Sequence, residues 1–151
     1  MKLYIASSWR NIYYTETVKH LRAEGFDCYD FQNPAPDDHG FSWSEIDPNW
    51  KEWSREEVRA SLQHPIARRG FTYDATALRA CDACVLVLPC NRSAHLEAGF
   101  VLGAGKPVVI YLPEPIEAEL MYGLADTIAV STKELTQALR QIHQSFKGKT
   151  P

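Results

Sequence analysis

Residues 82–111 read DACVLVLPCNRSAHLEAGFVLGAGKPVVIY, in which a strand, a loop, a helix and a second strand follow one another. Ala83–Leu88 is a continuous apolar run, typical of a strand that is buried on both faces of a sheet. Ser93 is predicted to cap the helix, because its hydroxyl can accept a hydrogen bond from an amide of the first turn. Gly105 is expected to end the helix before the second strand, Pro107–Tyr111.

These elements form a βαβ unit, whose right-handed crossover makes the two strands parallel. In parallel sheets of this kind, ligands bind in a crevice at the carboxyl ends of the strands. Glu97 is predicted to lie in or near the first turn of the helix, where the positive end of the helix dipole favours an ionised carboxylate. Glu97 is therefore a candidate anionic site residue. The alternative is that it only complements the helix dipole.

The composition is that of an ordinary globular chain. Its 151 residues suffice for one domain with a buried core, and we predict a single domain over residues 1–151. The formal net charge is -3 and no basic stripe is present, which argues against binding to nucleic-acid polymers. No apolar run reaches the roughly 18 residues that a membrane span requires, and the chain begins directly with a predicted strand. We therefore expect a cytoplasmic protein with no membrane partner.

The four cysteines lie in or beside predicted strands and helix ends, at positions 28, 81, 84 and 90. This placement suits buried, reduced thiols better than a disulfide framework. Cys81 and Cys84 form one C-x-x-C, which is a weak zinc signal without a second pair of ligands. We predict no metal site and no cofactor.

Strands alternate with helices along the chain. Lys2–Ala6 is predicted to be the central first strand, Phe26–Phe31 a strand nearer the edge, and Thr127–Val130 the last strand. The alternation indicates an α/β fold, a doubly wound parallel sheet of four to five strands with flanking helices. We predict the flavodoxin-like form of this fold rather than the longer dinucleotide-binding form.

The remaining helices are predicted from local signals. Two Ser-x-x-Glu capping boxes, at Ser54 and Ser131, mark the start of a helix in the middle of the chain and of the terminal helix. Pro65 can begin a further helix, which Gly70 is expected to interrupt. Ile116–Tyr122 is predicted to form a short helix.

The loop after the first strand reads SSWRN over residues 7–11, and its Asn11 is a potential helix-capping residue. A loop of this kind at a helix N-terminus can hold an anion, since hydroxyls, backbone amides and a guanidinium converge there. The candidate binding residues are Ser7, Ser8, Trp9 and Arg10. The alternative is an ordinary capped turn with a surface arginine.

The segment from about residue 32 to 53 shows no sustained period and is rich in Pro, Asp and Trp. A long irregular segment inside a compact domain is usually a lid or a binding loop. Its aromatic rings, at Trp43, Trp50 and Trp53, are suited to stacking on a nucleobase. The alternative is that they form a small satellite core over the sheet edge.

Several familiar catalytic patterns are missing. No G-x-G-x-x-G follows a strand, Gly105-Lys106 does not complete a phosphate-binding P-loop, and no G-x-S-x-G occurs. His95 lies two positions from Glu97 and so on a different helix face, and we interpret it as a cap-region or interface histidine. The remaining possibility is catalysis by carboxylate side chains. Its candidates are Glu97, Asp74 and Asp82, with Asp30 at the carboxyl end of the second strand.

These residues resemble the nucleoside 2-deoxyribosyltransferase family, which includes 2′-deoxynucleoside 5′-monophosphate N-glycosidases. The resemblance rests on LYIASSW at the N-terminus, on the spacing of Asp74 and Asp82, and on CNRSAHLEAGFVLGAGKPV. It implies that Glu97 is the nucleophile that forms a covalent deoxyribosyl intermediate. It also implies that Tyr4 orients this carboxylate and that Asp74 serves in base binding and proton transfer.

The resemblance places Asn91 where the family contacts the 5′ end of the sugar. The nucleoside transferases tend to have an acidic residue there, whereas phosphate-binding relatives use a neutral hydrogen-bonding group. Asn91, together with Ser7, Ser8, Arg10 and Ser93, therefore favours a phosphate. Where the family has a polar residue supplied by a neighbouring subunit, this sequence has Ala118 followed by Glu119.

The leading hypothesis is an enzyme that cleaves or transfers at the N-glycosidic bond of a 2′-deoxynucleoside or its 5′-monophosphate. Its expected partners are a small nucleoside or nucleotide and further copies of the same chain, as a homodimer or higher homo-oligomer. One alternative is a non-catalytic nucleotide-binding or sensor module. Another is a glycosidase that acts on a dinucleotide such as NAD.

Overall fold

The computed structural model describes residues 1–148 and contains a five-stranded sheet in which all paired strands are parallel. The strands are β1 Lys2–Ala6, β2 Asp27–Tyr29, β3 Ala83–Val87, β4 Val108–Tyr111 and β5 Thr127–Ala129. Their order in the sheet, β2-β1-β3-β4-β5, is that of flavodoxin-like folds. The predicted fold class is confirmed, as are the interior position of β1 and the edge position of β2.

Helices cover both faces of the sheet. Residues 1–148 form five α-helices, which are α1 Tyr14–Ala23, α2 Arg55–Ser61, α3 Pro65–Ala80, α4 Arg92–Gly103 and α5 Thr132–Lys147. α1 contacts α5, and α4 contacts β1, β3 and β4. Since β1–α1–β2 and β3–α4–β4 proceed in opposite directions across the sheet, right-handed crossovers place α1 and α4 on opposite faces. β3 is buried along its whole length, as its continuous apolar run predicted.

The chain forms two compact units. The sheet unit comprises Met1–Tyr29 and the chain from Leu78 onwards, and it contains the five strands with α1, α4 and α5. The second unit, Asp30–Ala77, contains α2, most of α3 and two short 3-10 helices, Trp43–Glu45 and Trp50–Glu52. Among residues 1–148, no helix combines the length and the apolar character that crossing a membrane requires.

Two helices of the sheet unit end in a glycine with left-handed backbone geometry. Gly25 follows α1 with φ of 86°, and Gly105 follows α4 with φ of 72°. After α4, the amide of Gly105 donates to the carbonyl of Leu102 at 2.9 Å, and the amide of Lys106 donates to that of Val101 at 3.1 Å. This pair of bonds is the Schellman motif, in which glycine avoids the steric penalty of a Cβ. The predicted role of Gly105 is confirmed.

The Trp-rich loop of the second unit is held together by its own aromatic rings. Trp43 packs edge-to-face with Phe41 and with Trp53, at ring-centroid distances of 4.7 and 5.6 Å. The indole N–H of Trp53 donates to the Asp47 carboxylate at 2.6 Å. A complete capping box at Ser42 begins the first 3-10 helix. The loop is therefore more regular than the sequence indicated, and three of its rings pack together.

Two local predictions are only partly correct. A short helix forms near Ile116–Tyr122, but it is a 3-10 helix that spans Leu120–Leu124 and buries none of its side chains. Without an apolar face to bury, so short a segment gains little from continuing as an α-helix. The capping box at Ser131 is only half formed, because the Glu134 carboxylate accepts from the Val130 amide at 2.9 Å rather than from Ser131.

α3 runs unbroken through Gly70, where an interruption was expected. The glycine makes room for an aromatic ring, since a Cβ added at Gly70 would lie 2.8 Å from the Cβ of Phe41. Gly70→Ala is therefore expected to lower the free energy of unfolding by about 1–3 kcal/mol, as overpacking does. Urea unfolding measures the change.

A matched control is Gly99→Ala in α4, where an added Cβ meets no atom within 4 Å. That substitution is expected to raise the free energy of unfolding by up to about 1 kcal/mol, through helix propensity alone. A Gly70→Ala variant as stable as the Gly99→Ala variant would show that the Phe41 contact imposes no constraint.

Candidate active site

β1 and β3 are adjacent parallel strands, so their carboxyl ends lie side by side at the same end of the sheet. The two strands are neighbours in the sheet, but the helices that follow them contact different sets of elements on opposite faces. The β1–α1 loop, residues 7–13, and the β3–α4 loop, residues 88–91, therefore diverge. The crevice between such loops is where doubly wound sheets bind ligands.

Asn11 ties these two loops together. It is buried, with 7% of its surface exposed, and its side-chain amide donates to the carbonyls of Val87 and Pro89, both at 3.0 Å. The same amide donates to the Ser7 hydroxyl oxygen at 2.9 Å, and the Asn11 side-chain oxygen accepts from the Tyr13 amide at 2.8 Å. Asn11 thus determines how the β1–α1 loop lies against the end of β3.

The two serines of the β1–α1 loop are both buried but differ in what they offer a ligand. Ser7 donates its only hydroxyl proton to the Val87 carbonyl at 2.8 Å, so it secures the loop. The Ser8 oxygen accepts from the Arg10 amide at 3.3 Å, a bond that does not use the Ser8 hydroxyl proton. Of the two, Ser8 is better placed to donate to an anion.

A cavity of about 150 Å³ lies in the crevice. It brings together three of the predicted binding residues, Ser8, Arg10 and Asn91, with Asn11, Pro89 and Cys90. Pockets that enclose a whole drug-sized ligand have volumes of about 300–1,000 Å³. This cavity therefore matches one polar group of a ligand, such as a phosphate, rather than an entire nucleotide. Trp9 and Ser93 do not line it, and both are exposed.

The start of α4 differs from the prediction. Asn91 is the N-cap, although its side chain makes no capping bond, and the predicted cap Ser93 lies inside the first turn. Glu97 consequently lies in the second turn, and the first turn holds no acidic residue. Because the helix dipole acts mainly within the first turn, it explains the presence of Glu97 less well than the sequence indicated.

Glu97 is half-buried, and its charge acts on two thiols, that of Cys84 in the buried strand β3 and that of Cys90 in the β3–α4 loop. Burial raises the pKa of the Cys84 thiol well above its ordinary value, and the negative charges of Cys81 and Glu97 add to the rise. Burial also raises the pKa of Cys90 to about 12, with the Glu97 carboxylate as the second cause. The Glu97 carboxylate therefore lies near both the β3 strand and the β3–α4 loop.

Tyr4 approaches the same strand from β1. It is fully buried, pairs with Cys84 in the sheet register, and stacks on Tyr29 at a ring-centroid distance of 5.3 Å. Cys84 is thus the neighbour of Tyr4 in the sheet, and its thiol is also affected by the charge of Glu97. The predicted pairing of Tyr4 with the Glu97 carboxylate is consistent with this arrangement and stays a prediction.

The pKa of Cys90 gives a direct test of its surroundings. With a pKa of about 12, the thiolate fraction and hence the alkylation rate of Cys90 should still rise about tenfold per pH unit between about pH 8 and 10. The alkylation rate of an ordinary exposed cysteine levels off within that range, because its pKa is about 8.5. Iodoacetamide labelling of the native protein, located by peptide mass spectrometry, measures the profile. A plateau below about pH 10 would show that Cys90 is neither buried nor beside a carboxylate.

His95 lies in the cap region of α4, as interpreted from the sequence. Its Nδ1 lies 3.1 Å from the Asn91 carbonyl oxygen and 3.6 Å from the Cys90 sulfur. Its Nε2 lies 3.1 Å from the Tyr122 hydroxyl, and the two rings are stacked. The sequence did not indicate Tyr122, because no pattern connects residues 27 positions apart.

Two of the predicted site carboxylates, Asp30 and Asp74, belong to the second unit. Asp30 is buried, and its carboxylate accepts from the Gln32 amide and from the Asn33 side chain, both at 3.0 Å. Asp74 lies on α3 and is half-buried. Asp82, by contrast, belongs to the sheet unit and accepts from the Lys2 amide at 2.7 Å, at the opposite edge from the crevice.

No protein-family model matches the sequence, and no curated protein matches it. Solved structures do match. A 2-deoxyribosyltransferase from Bacillus psychrosaccharolyticus superposes with a TM-score of 0.61 at 17% identity, over 90% of each chain. A conserved protein from Enterococcus faecalis superposes with a TM-score of 0.60 at 15% identity, over 93% of this chain and 98% of that chain.

A third structure, the CMP N-glycosidase BcmB of Clostridium botulinum, has a TM-score of 0.48 at 16% identity, over 93% of this chain and 99% of that chain. That agreement is too loose to support an inference. The first shows that the chain has the fold of a 2-deoxyribosyltransferase. The resemblance predicted from the sequence is confirmed at the level of the fold.

Proposed function

We propose that the chain is an enzyme that cleaves or transfers at the N-glycosidic bond of a 2′-deoxynucleoside or its 5′-monophosphate. The observation that carries the proposal is Glu97, a half-buried carboxylate on the helix that follows β3, whose charge acts on the thiol of Cys90 in the cavity. Support comes also from the fold shared with a 2-deoxyribosyltransferase and from the sequence resemblance to that family.

In the proposed reaction a Glu97 carboxylate oxygen attacks C1′ of the deoxyribose. The C1′–N bond breaks, its electron pair leaves with the base, and the base takes up a proton. The resulting glycosyl ester is then attacked at C1′ by water, which gives hydrolysis, or by a second base, which gives transfer. Two successive displacements retain the configuration at C1′. Tyr4 is proposed to orient the carboxylate.

Asp74 and Asp30 enter the proposal in different ways. Asp74 is proposed, through the family resemblance, to bind the base and to supply and recover the proton. Asp30 is proposed as a binding residue at the carboxyl end of β2. The hydrogen bonds from Gln32 and Asn33 to its two carboxylate oxygens fix the orientation in which it would meet a substrate.

The cavity beside the nucleophile is proposed to take the 5′ end of the substrate. Arg10 supplies a cation, and Ser8 and Asn91 supply neutral donors, a set that suits a phosphate dianion. Trp9, with 51% of its surface exposed, is proposed to lie against the sugar or base, and Ser93 to approach the phosphate from the first turn of α4. Ser7 is proposed to act indirectly, through the loop.

Incubation with a 2′-deoxynucleoside 5′-monophosphate and a different free base tests the proposal. Transfer yields a new nucleotide, and hydrolysis yields free base with deoxyribose 5-phosphate; chromatography separates these products. A parallel reaction with the unphosphorylated nucleoside shows whether the phosphate is required. Ligand-induced thermal stabilisation without either product would refute the enzyme and favour a nucleotide-binding module.

A homo-oligomer is proposed as the working form. Large apolar side chains of the sheet unit are exposed on α4, at Leu96 and Phe100, and on β5, at Ile128. Exposed apolar groups of this kind are suited to burial between subunits. Sedimentation velocity measures the assembly, and a monomer at working concentration would contradict the proposal.

A further inference from the structure

The connection between β4 and β5, residues 112–126, carries a turn that the hydrophobic core does not hold. At its start, Glu114 accepts from the Tyr13 hydroxyl at 2.6 Å, and at its end Asp126 accepts from the Val108 amide at 2.8 Å. Between these anchors, Leu120, Met121 and Leu124 expose 91%, 64% and 61% of their surface. Segments with few buried apolar contacts open easily, so any polar attachment in the middle decides where the turn lies.

That attachment is the pair of Tyr122 and His95. The two rings stack with centroids 5.9 Å apart and an interplanar angle of 9°, and the Tyr122 hydroxyl lies 3.1 Å from Nε2 of His95. Nδ1 of His95 faces the Asn91 carbonyl at 3.1 Å, which requires a proton on Nδ1. Neutral His95 therefore accepts at Nε2, and the Tyr122 hydroxyl donates to it. Both ring nitrogens are used in linking two loops.

The link lies at the candidate active site. The Cys90 sulfur is 3.6 Å from Nδ1 of His95, Cys90 lines the cavity, and its titration is affected by Glu97. Tyr122 is half-buried although its neighbours in the turn are exposed. Burial and, second, the charge of Cys90 raise the pKa of Tyr122, which places its ring near the β3–α4 loop.

We infer that His95 is a positioning residue, which holds the Leu120–Leu124 turn against the β3–α4 loop through Tyr122 and thereby shields Cys90 and Glu97 from water. The inference rests on the proposed function only in naming Glu97 as the nucleophile. The shielding itself is a property of the turn and can be measured without turnover. Excluding water from a carboxylate nucleophile strengthens its electrostatic interactions with a cationic transition state.

The test is the rate at which iodoacetamide alkylates Cys90 in the native full-length chain, located by peptide mass spectrometry. Tyr122→Phe removes the link but leaves His95 beside the thiol, and it is expected to raise the Cys90 rate about fivefold, the population change that losing one hydrogen bond gives. The matched control is Thr136→Val in α5. It removes a hydroxyl that bonds Nε2 of another histidine, His20, at 2.8 Å.

Two substitutions of His95 distinguish loss of the hydrogen bond to Tyr122 from a general loss of stability. His95→Leu is expected to match Tyr122→Phe, whereas His95→Gln, whose side-chain oxygen can still accept from Tyr122, should stay within about twofold of the wild type. Equal Cys90 rates in the wild type and Tyr122→Phe would overturn the inference, as would an equal increase in Thr136→Val. Absence of glycosidase activity in the wild type would instead overturn the proposed function and leave the alkylation result standing.

Discussion

Glu97→Gln is expected to lower the rate of N-glycosidic cleavage at least about 1,000-fold, because a neutral amide cannot form the covalent bond to C1′. The fold should be retained, since glutamine has nearly the same shape and Glu97 is only half-buried on α4. Release of free base from a 2′-deoxynucleoside 5′-monophosphate, followed by chromatography, measures the rate. The urea unfolding midpoint, measured in parallel, reports on the fold.

Trapping the covalent intermediate tests the role of Glu97 without a rate measurement. Rapid quenching of the wild-type reaction should trap a deoxyribosyl adduct, and peptide mapping should locate it on Glu97. The control is Glu117→Gln, which changes an exposed glutamate of the β4–β5 connection and should leave turnover unchanged. Undiminished turnover by Glu97→Gln would show that another group attacks C1′.

Asn11→Asp is expected to have the largest effect on stability, about 2–4 kcal/mol in the free energy of unfolding at neutral pH. The Asn11 amide donates to the oxygens of Ser7, Val87 and Pro89, and a carboxylate oxygen in its place would face them without a proton. The expected result in urea is a lower unfolding midpoint with an unchanged slope.

The loss should depend on pH in a defined direction. Burial among oxygens raises the folded-state pKa of the new carboxyl above its unfolded value of about 3.9. The variant is therefore closest to wild-type stability below about pH 4, where the carboxyl is protonated in both states, and it loses stability as the pH rises. Asn49→Asp is the control, because Asn49 is exposed and its side chain makes no capping bond. An equal loss in the free energy of unfolding in the two variants would show that the Asn11 hydrogen bonds do not hold the two loops together.

Local and short-range features of the fold were predictable from the sequence. The apolar run of β3 and the glycine after α4 act through neighbouring residues, and both predictions are confirmed. The helix start was predictable only to within two residues, since Asn91 and Ser93 are both good capping residues by type. Gly70 was misjudged because its reason for being glycine, Phe41, lies 29 positions earlier in the chain.

In the candidate site, too, local features could be predicted and contacts between distant residues could not. Glu97 was identifiable, because its position follows from one βαβ unit and from the family resemblance. Asn11 and Tyr122 were not, because their partners lie 76 and 27 positions away and no periodic pattern links them. Ser7 was expected to donate to an anion, but the strand beside it takes its proton. Contacts between distant loops come from the topology of the sheet and not from local sequence.

The hydrogen bonds from Asn11 to the β3–α4 loop have a practical consequence for redesign. Asn11 holds the loop by the backbone carbonyls of Val87 and Pro89, so the side chains at Cys90 and Asn91 take no part in these bonds. A library randomised at Ser8, Arg10, Cys90 and Asn91, with Asn11 kept, would therefore vary the chemistry of the cavity on an unaltered frame. Such a library would vary which groups the cavity accepts at the 5′ end of the proposed substrate.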